Sequence, residues 1–254
     1  FRAEYGDEIP KEGSQGPLWK KFLRFREDSL ARFLADAQKA VQQVNPGGVV
    51  FLNAGSWRPA GWRVARDIQK MGPFQNFNGA EAFFHYGRVQ NIYASLMTGK
   101  YLRAGGKPAV VFTHYMNGLW HYLFLPPGEI KLAIAQTVAA GANPWLAFID
   151  SASKSQPDGN KPVRDIFAFL AAKKDFYADL ESVAEVGLLF SAQTGASYFS
   201  KFEGFYRKPE RKEENLIVSQ NQEKIVNWEA QKKQCEELLT SAYLGYFHAL
   251  TRAH

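Results

Sequence analysis

A chain of 254 residues, 46% hydrophobic and 22% charged, carries enough apolar material for a large buried core, in one large domain or one and a half. Its net charge of +6 is interleaved with acids, as in Arg207–Glu214 (RKPERKEE), so no basic stripe forms and the composition argues against nucleic-acid binding. The single cysteine, Cys235, excludes an internal disulfide and a CxxC metal site, and no apolar run reaches the roughly 18–20 residues of a membrane span.

Taken in order, residues 1–16 are polar and broken by Gly and Pro, which predicts a loop after a short helix. Pro17 suits the first turn of a long helix. Leu30, Phe33, Leu34, Ala37, Val41 and Val44 follow at spacings of three and four as its apolar stripe. Asn45-Pro46-Gly47-Gly48 stops that helix and GVVFLNAG (Gly48–Gly55) reads as a first strand. A long loop, Ser56–Asn78, carries Trp57, Arg58, Trp62 and Arg63; loops of this length inside a domain usually have a function. GAEAFF (Gly79–Phe84) is the second strand, followed by a helix around Val89–Leu102 that Gly105-Gly106 closes.

PAVVFTHY (Pro108–Tyr115) is the third strand, with HYMNGLWHYLFLPPGE as its exit loop and a helix over Ile130–Ala140. NPWLAFID (Asn143–Asp150) is the fourth, followed by the loop Ser151–Lys161 and a helix over Val163–Phe176. Strand–helix alternation of this kind builds a parallel sheet, here βαβαβαβα, about half of a (β/α)8 barrel. Chemistry in such sheets gathers at the carboxyl ends of the strands. Those ends carry Asn53, Glu81, His114, Tyr115 and Asp150. VAEVGLLFS (Val183–Ser191) reads as a fresh buried strand, and a helix over Glu229–Ala253 closes the chain, as at the opening of a second α/β domain. Cys235 falls on that helix, which is no place for a strand-end nucleophile. The pattern opens and closes midway, as a piece of a larger enzyme would.

The common cofactor and hydrolase signatures are absent from the sequence: there is no GxGxxG, GxxxxGK[ST], GxSxG or HExxH. His85 and His121 have no acid or cysteine at ligand spacing, so neither a metal nor another cofactor is expected.

Several longer stretches carry a resemblance. FRAEYGDEIP (Phe1–Pro10), the W-x-x-F-x-x-F-R pattern of Trp19, Phe22, Phe25 and Arg26, and VNPGGVVFLNAG (Val44–Gly55) resemble the glycoside hydrolases related to α-L-fucosidases. KPAVVFTHY, LPPGEIKLAIAQTVAAGANPW (Leu125–Trp145) and VAEVGLLFS look like the same family, so the similarity runs over nearly the whole chain. It implies an α/β chain: the carboxyl-terminal half of a TIM barrel over residues 1–178, then the start of an amidotransferase-like domain over 179–254. Such second domains are similar to the trimerisation domain of some β-galactosidases, which implies assembly into a homo-oligomer. The activity implied is hydrolysis of O-glycosidic bonds in a carbohydrate substrate.

Glycoside cleavage needs one carboxylic acid to protonate the leaving oxygen and a second to attack or stabilise the oxocarbenium-like carbon, the two about 5–5.5 Å apart in retaining enzymes. Glu81 is the candidate acid/base, because its neighbours Ala80, Ala82, Phe83 and Phe84 are apolar and desolvation would favour the proton-bearing form. A structural pairing of Glu81 with Arg58 or Arg63 is the alternative. By the resemblance, the nucleophile is an Asp upstream of Phe1, so the chain alone is expected to be inactive; Asp7 and Glu8 read as surface acids. Asn53, His114 and Tyr115 are candidates to bond sugar hydroxyls, Trp57, Trp62 and Trp120 to pack on sugar faces, and Asp150 to line the site or cap a helix. The competing reading is a non-catalytic carbohydrate-binding or assembly protein on the same fold.

Overall fold

The computed structural model describes residues 1–10, 16–53, 64–86, 89–114, 116–117, 120–147, 157–199 and 241–253. The chain divides into two compact units, one of Phe1–Leu30, Arg58–Arg66 and Leu188–His254, the other of Ala31–Trp57 and Asp67–Gly187.

In the first unit, helix α1 (Arg2–Tyr5) precedes the start of the long helix α2 (Pro17–Val44), which Pro17 opens. Trp19 and Leu23 of α2 are buried with Ala196, and Phe22 packs on them. Phe1 meets the rings of Phe22 and Phe25 edge-on at 5.7 and 5.3 Å. Asp7 pairs with Lys21 and Glu8 with Arg2 as exposed ion pairs.

The second unit holds α3 (Ile68–Met71), β1 (Asn78–Glu81), β2 (His85–Tyr86), β3 (Val89–Gln90) and α4 (Ala94–Arg103). β4 (Ala109–His114), β5 (Met116–Asn117), β6 (Trp120–Phe124), α5 (Pro127–Ala139), β7 (Asn143–Ala147), α6 (Lys161–Ala172) and α7 (Lys174–Tyr177) follow. The first unit resumes with α8 (Ala192–Phe199) and α9 (Ala242–Ala253).

The protein is mixed α/β. Its main sheet is three-stranded and parallel in the order β1-β4-β7, and Asn53 adds a parallel bridge to Gly79. Register sets the two faces. Asn78 pairs with Ala109, Ala80 with Val111 and Thr113 with Leu146, so these side chains share one face. All six are buried, and α4 and α5 cover them. Ile130, Ile134, Leu146 and Val163 form the adjoining core between α5, β7 and α6. The opposite face carries Phe51, Phe77, Gly79, Glu81, Phe112 and Trp145.

Several expectations need correction. GVVFLNAG contributes one bridge at Asn53 and no extended ladder among its described residues. Its backbone is held by side chains instead: Val50 N donates to Asn76 Oδ1 at 2.8 Å and Leu52 N to Gln75 Oε1 at 3.2 Å. The described part of the long loop includes α3 and a short 3-10 turn at Gly72–Phe74. The exit loop of the third strand contains the antiparallel pair β5–β6, and the helix expected from Val89 begins only at Ala94. VAEVGLLFS is not a buried strand: it has no regular structure, Val183 is 95% exposed and Leu189 87%. An apolar run becomes a strand only where a sheet edge offers its backbone groups partners. On α2, Leu34 and Ala31 are buried while Phe33 and Val44 face solvent. Phe33 and Leu34 lie about 100° apart around the axis, so a narrow contact strip takes one and leaves the other. Among the described residues no helix is long and apolar enough to cross a membrane.

Candidate functional site

The parallel strands bring their carboxyl ends together, and two polar side chains described there, Asn53 and Glu81, meet. Asn53 Nδ2 donates to Glu81 Oε1 at 2.9 Å. The contact links residues 28 apart in sequence, and the bridge between Asn53 and Gly79 makes it possible. Gly79 matters here because a β-carbon at that position would stand 3.0 Å from the Phe51 ring. Without one, Phe51 lies over the strand and the 50–53 segment comes close enough for Asn53 to reach Glu81.

The segment is pinned from below. Asn76 exchanges two hydrogen bonds with Val50, donating its N–H to the Val50 carbonyl at 2.9 Å and accepting the Val50 N–H on Oδ1. Gln75, fully buried, accepts from Leu52 N and donates Nε2 to Asn78 Oδ1 at 2.8 Å. Asn78, equally buried, donates Nδ2 to the Leu102 carbonyl at 2.9 Å and its N–H to the Pro108 carbonyl at 2.8 Å. A chain of amides therefore runs from α4 under β1 to the residue before Asn53. Such groups stay buried only because each has a partner.

Glu81 is exposed, which corrects the expectation of a desolvated carboxyl. Its neighbours Ala80 and Ala82 are buried, but alternation along a strand sends their side chains to the other face. The apolar flanks belong to the helix-covered side, and Glu81 shares its face with aromatic rings. Glu81 pairs in register with Phe112, and Phe112 with Trp145, at roughly 5 Å per strand. The Phe112 and Trp145 rings are 4.2 Å apart and inclined by 32°; Phe51 lies 5.6 Å from Trp145 and 4.3 Å from Phe77. Trp145 stays 41% exposed despite these neighbours. The result is a cluster of packed aromatic rings with an amide and a carboxylate on the same face. Such an arrangement can hold a molecule that has one apolar face and several hydroxyls.

Of the other candidates, His114 closes β4 and Trp120 opens β6. Tyr115, Trp57, Trp62, Asp150, Cys235, Arg58 and Arg63 lie outside the described residues. The partner seen for Glu81 is Asn53. Trp145 was missed as a site residue: it sits mid-strand, where an aromatic reads as core, and only the register shows which face it takes. Among the described residues no group of three His, Cys, Asp or Glu side chains is placed to hold a metal ion. No family model, curated protein or solved structure matches the chain.

Proposed function

We propose that this chain is part of a glycoside hydrolase, with Glu81 as its acid/base. The observation that carries the reading is the Asn53–Glu81 hydrogen bond at the carboxyl end of a parallel sheet, beside the Phe112–Trp145 surface. Strand ends of parallel sheets are where α/β enzymes keep their reacting groups. On this reading the aromatic face belongs to the interior of a (β/α)8 barrel. The second carboxylate lies upstream of Phe1, and residues 179–254 begin an amidotransferase-like domain that serves assembly. The partner is a carbohydrate.

The test uses the polypeptide extended upstream in its open reading frame, assayed on a panel of 4-nitrophenyl glycosides that includes the α-L-fucoside. Glu81→Gln is expected to lower turnover about 100-fold to 10,000-fold, the usual contribution of a positioned acid/base, with the thermal transition unchanged. Turnover equal to the parent's rejects the assignment.

A second reading has its own support. The packed rings and the Asn53 amide can bind a sugar without any proton transfer, which is all that a sugar-binding or assembly protein on the same fold needs. Sugar binding without hydrolysis in the extended polypeptide selects that reading.

A further inference from the structure

We propose that Asn53 is a positioning residue for Glu81 and not a ligand of the sugar; the proposal rests on the glycosidase reading above. The geometry argues for it in three steps. First, one of the two Asn53 Nδ2 hydrogens is already given to Glu81 Oε1 at 2.9 Å. Second, Asn53 is held in place by the bridge to Gly79, the Phe51 ring over that glycine, and the pins on Val50 and Leu52. An exposed carboxylate on a flexible stem samples several rotamers, and a fixed donor at this distance selects one. Third, Asn53 Oδ1 is shielded from solvent and has no hydrogen-bond partner among the described residues.

The third step gives the amide a role in both halves of the reaction. A carboxamide presents a donor at one end and an acceptor at the other. With Nδ2 toward Glu81 it serves the ionised carboxylate. Turned by half a revolution about its terminal bond, it places Oδ1 to accept from protonated Glu81. Glu81 in a retaining cycle gives its proton to the leaving oxygen and regains one from the attacking water. Asn53 can hold the side chain in one place through that exchange, with no net change of atoms at the amide. Aspartate in its place keeps the shape, loses the donor and sets a like charge beside Glu81.

Two measurements test this. In the 1H–15N spectrum of the chain, the Asn53 side-chain amide is identified by its disappearance in Asn53→Asp. Glu81→Ala is expected to move that resonance upfield while the backbone amides outside the strand ends stay in place. In the extended polypeptide acting on a 4-nitrophenyl glycoside, Asn53→Ala and Asn53→Asp are expected to lower kcat about 10-fold to 100-fold, as for a misplaced catalytic group, with KM within about twofold, as when an interaction with the transition state alone is lost. A resonance indifferent to Glu81→Ala overturns the proposal. So does a raised KM with unchanged kcat, which is the behaviour of a sugar ligand. If Glu81→Gln abolishes turnover while both Asn53 variants keep it, the inference fails alone; if Glu81→Gln keeps it, the glycosidase reading fails and takes the inference with it.

Discussion

Gly99, midway along α4, is a closely packed point of the scaffold under the site. An added β-carbon there would lie 2.6 Å from the Ala140 β-carbon, 3.3 Å from that of Ala142 and 3.7 Å from Val111 Cγ2. In an exposed helix, replacing Gly by Ala gains about 1 kcal/mol of propensity. Here the two nearest atoms are alanine β-carbons, which move only when the backbone at the end of α5 moves. A 2.6 Å approach is about 1 Å inside the 3.5–4.0 Å at which carbons attract. Overpacking of this kind costs roughly 1–3 kcal/mol, and with two rigid contacts we take the upper end. Gly99→Ala is therefore expected to destabilise by about 2 kcal/mol net, a fall in Tm of roughly 4–8 °C for a chain of this size. Gly128→Ala is the control, because Gly128 lies in the first turn of α5 with nothing within 4 Å of its added carbon. It is expected to leave stability equal or raised by up to about 1 kcal/mol. The double variant Gly99→Ala/Ala140→Gly removes the worst contact and should recover about half of the loss. Urea unfolding followed by circular dichroism reads all four proteins. Gly99→Ala as stable as the parent would refute the reasoning, because propensity would then have outweighed packing.

Asn78→Leu keeps the branched shape but adds bulk, leaves Gln75 Nε2 without its acceptor and removes one donor from the Leu102 carbonyl, which keeps the Gly105 N–H, in a fully buried site; about 2–4 kcal/mol should be lost, read as a lower urea midpoint. In α9, burial and the neighbouring Arg252 hold the His248 imidazole below its ordinary value. The unfolded chain takes up that proton as pH falls through about 6.5 while the folded chain resists. Stability from this group is thus intact above that pH and declines below it. The urea midpoint should fall more between pH 7.5 and 5.5 in the parent than in His248→Gln, and equal falls would remove His248 from the account.

The sequence made the scaffold legible wherever a local pattern and its tertiary use coincide. Three of the four apolar runs form the ladder β1-β4-β7, since a short β-rich run between helix signals has few other ways to satisfy its backbone. Pro17 opens α2 and Asn45 ends it, its Oδ1 accepting from Gly47 N, because those are local rules. The pair β5–β6 was hidden for the opposite reason: Met116–Phe124 mixes polar and aromatic residues without a clean period, and only pairing between its two arms makes strands of it. VAEVGLLFS failed from the other side, having the composition of a strand but standing exposed without one.

Strand ends were readable at the site because position along a strand is a property of the run itself. Which face a residue takes was not, because that depends on register with strands far away in sequence. Glu81 shows the difference. Its apolar neighbours suggested a buried acid, yet Ala80 and Ala82 point toward α4 and α5 while Glu81 points with Phe112 and Trp145. The same rule that removes the expected desolvation sets the carboxylate among aromatic rings and within reach of Asn53. A residue's chemistry here is decided less by its flanking letters than by the letters two strands away. That is why Trp145, unremarked among core aromatics, ends on the same face as the carboxylate.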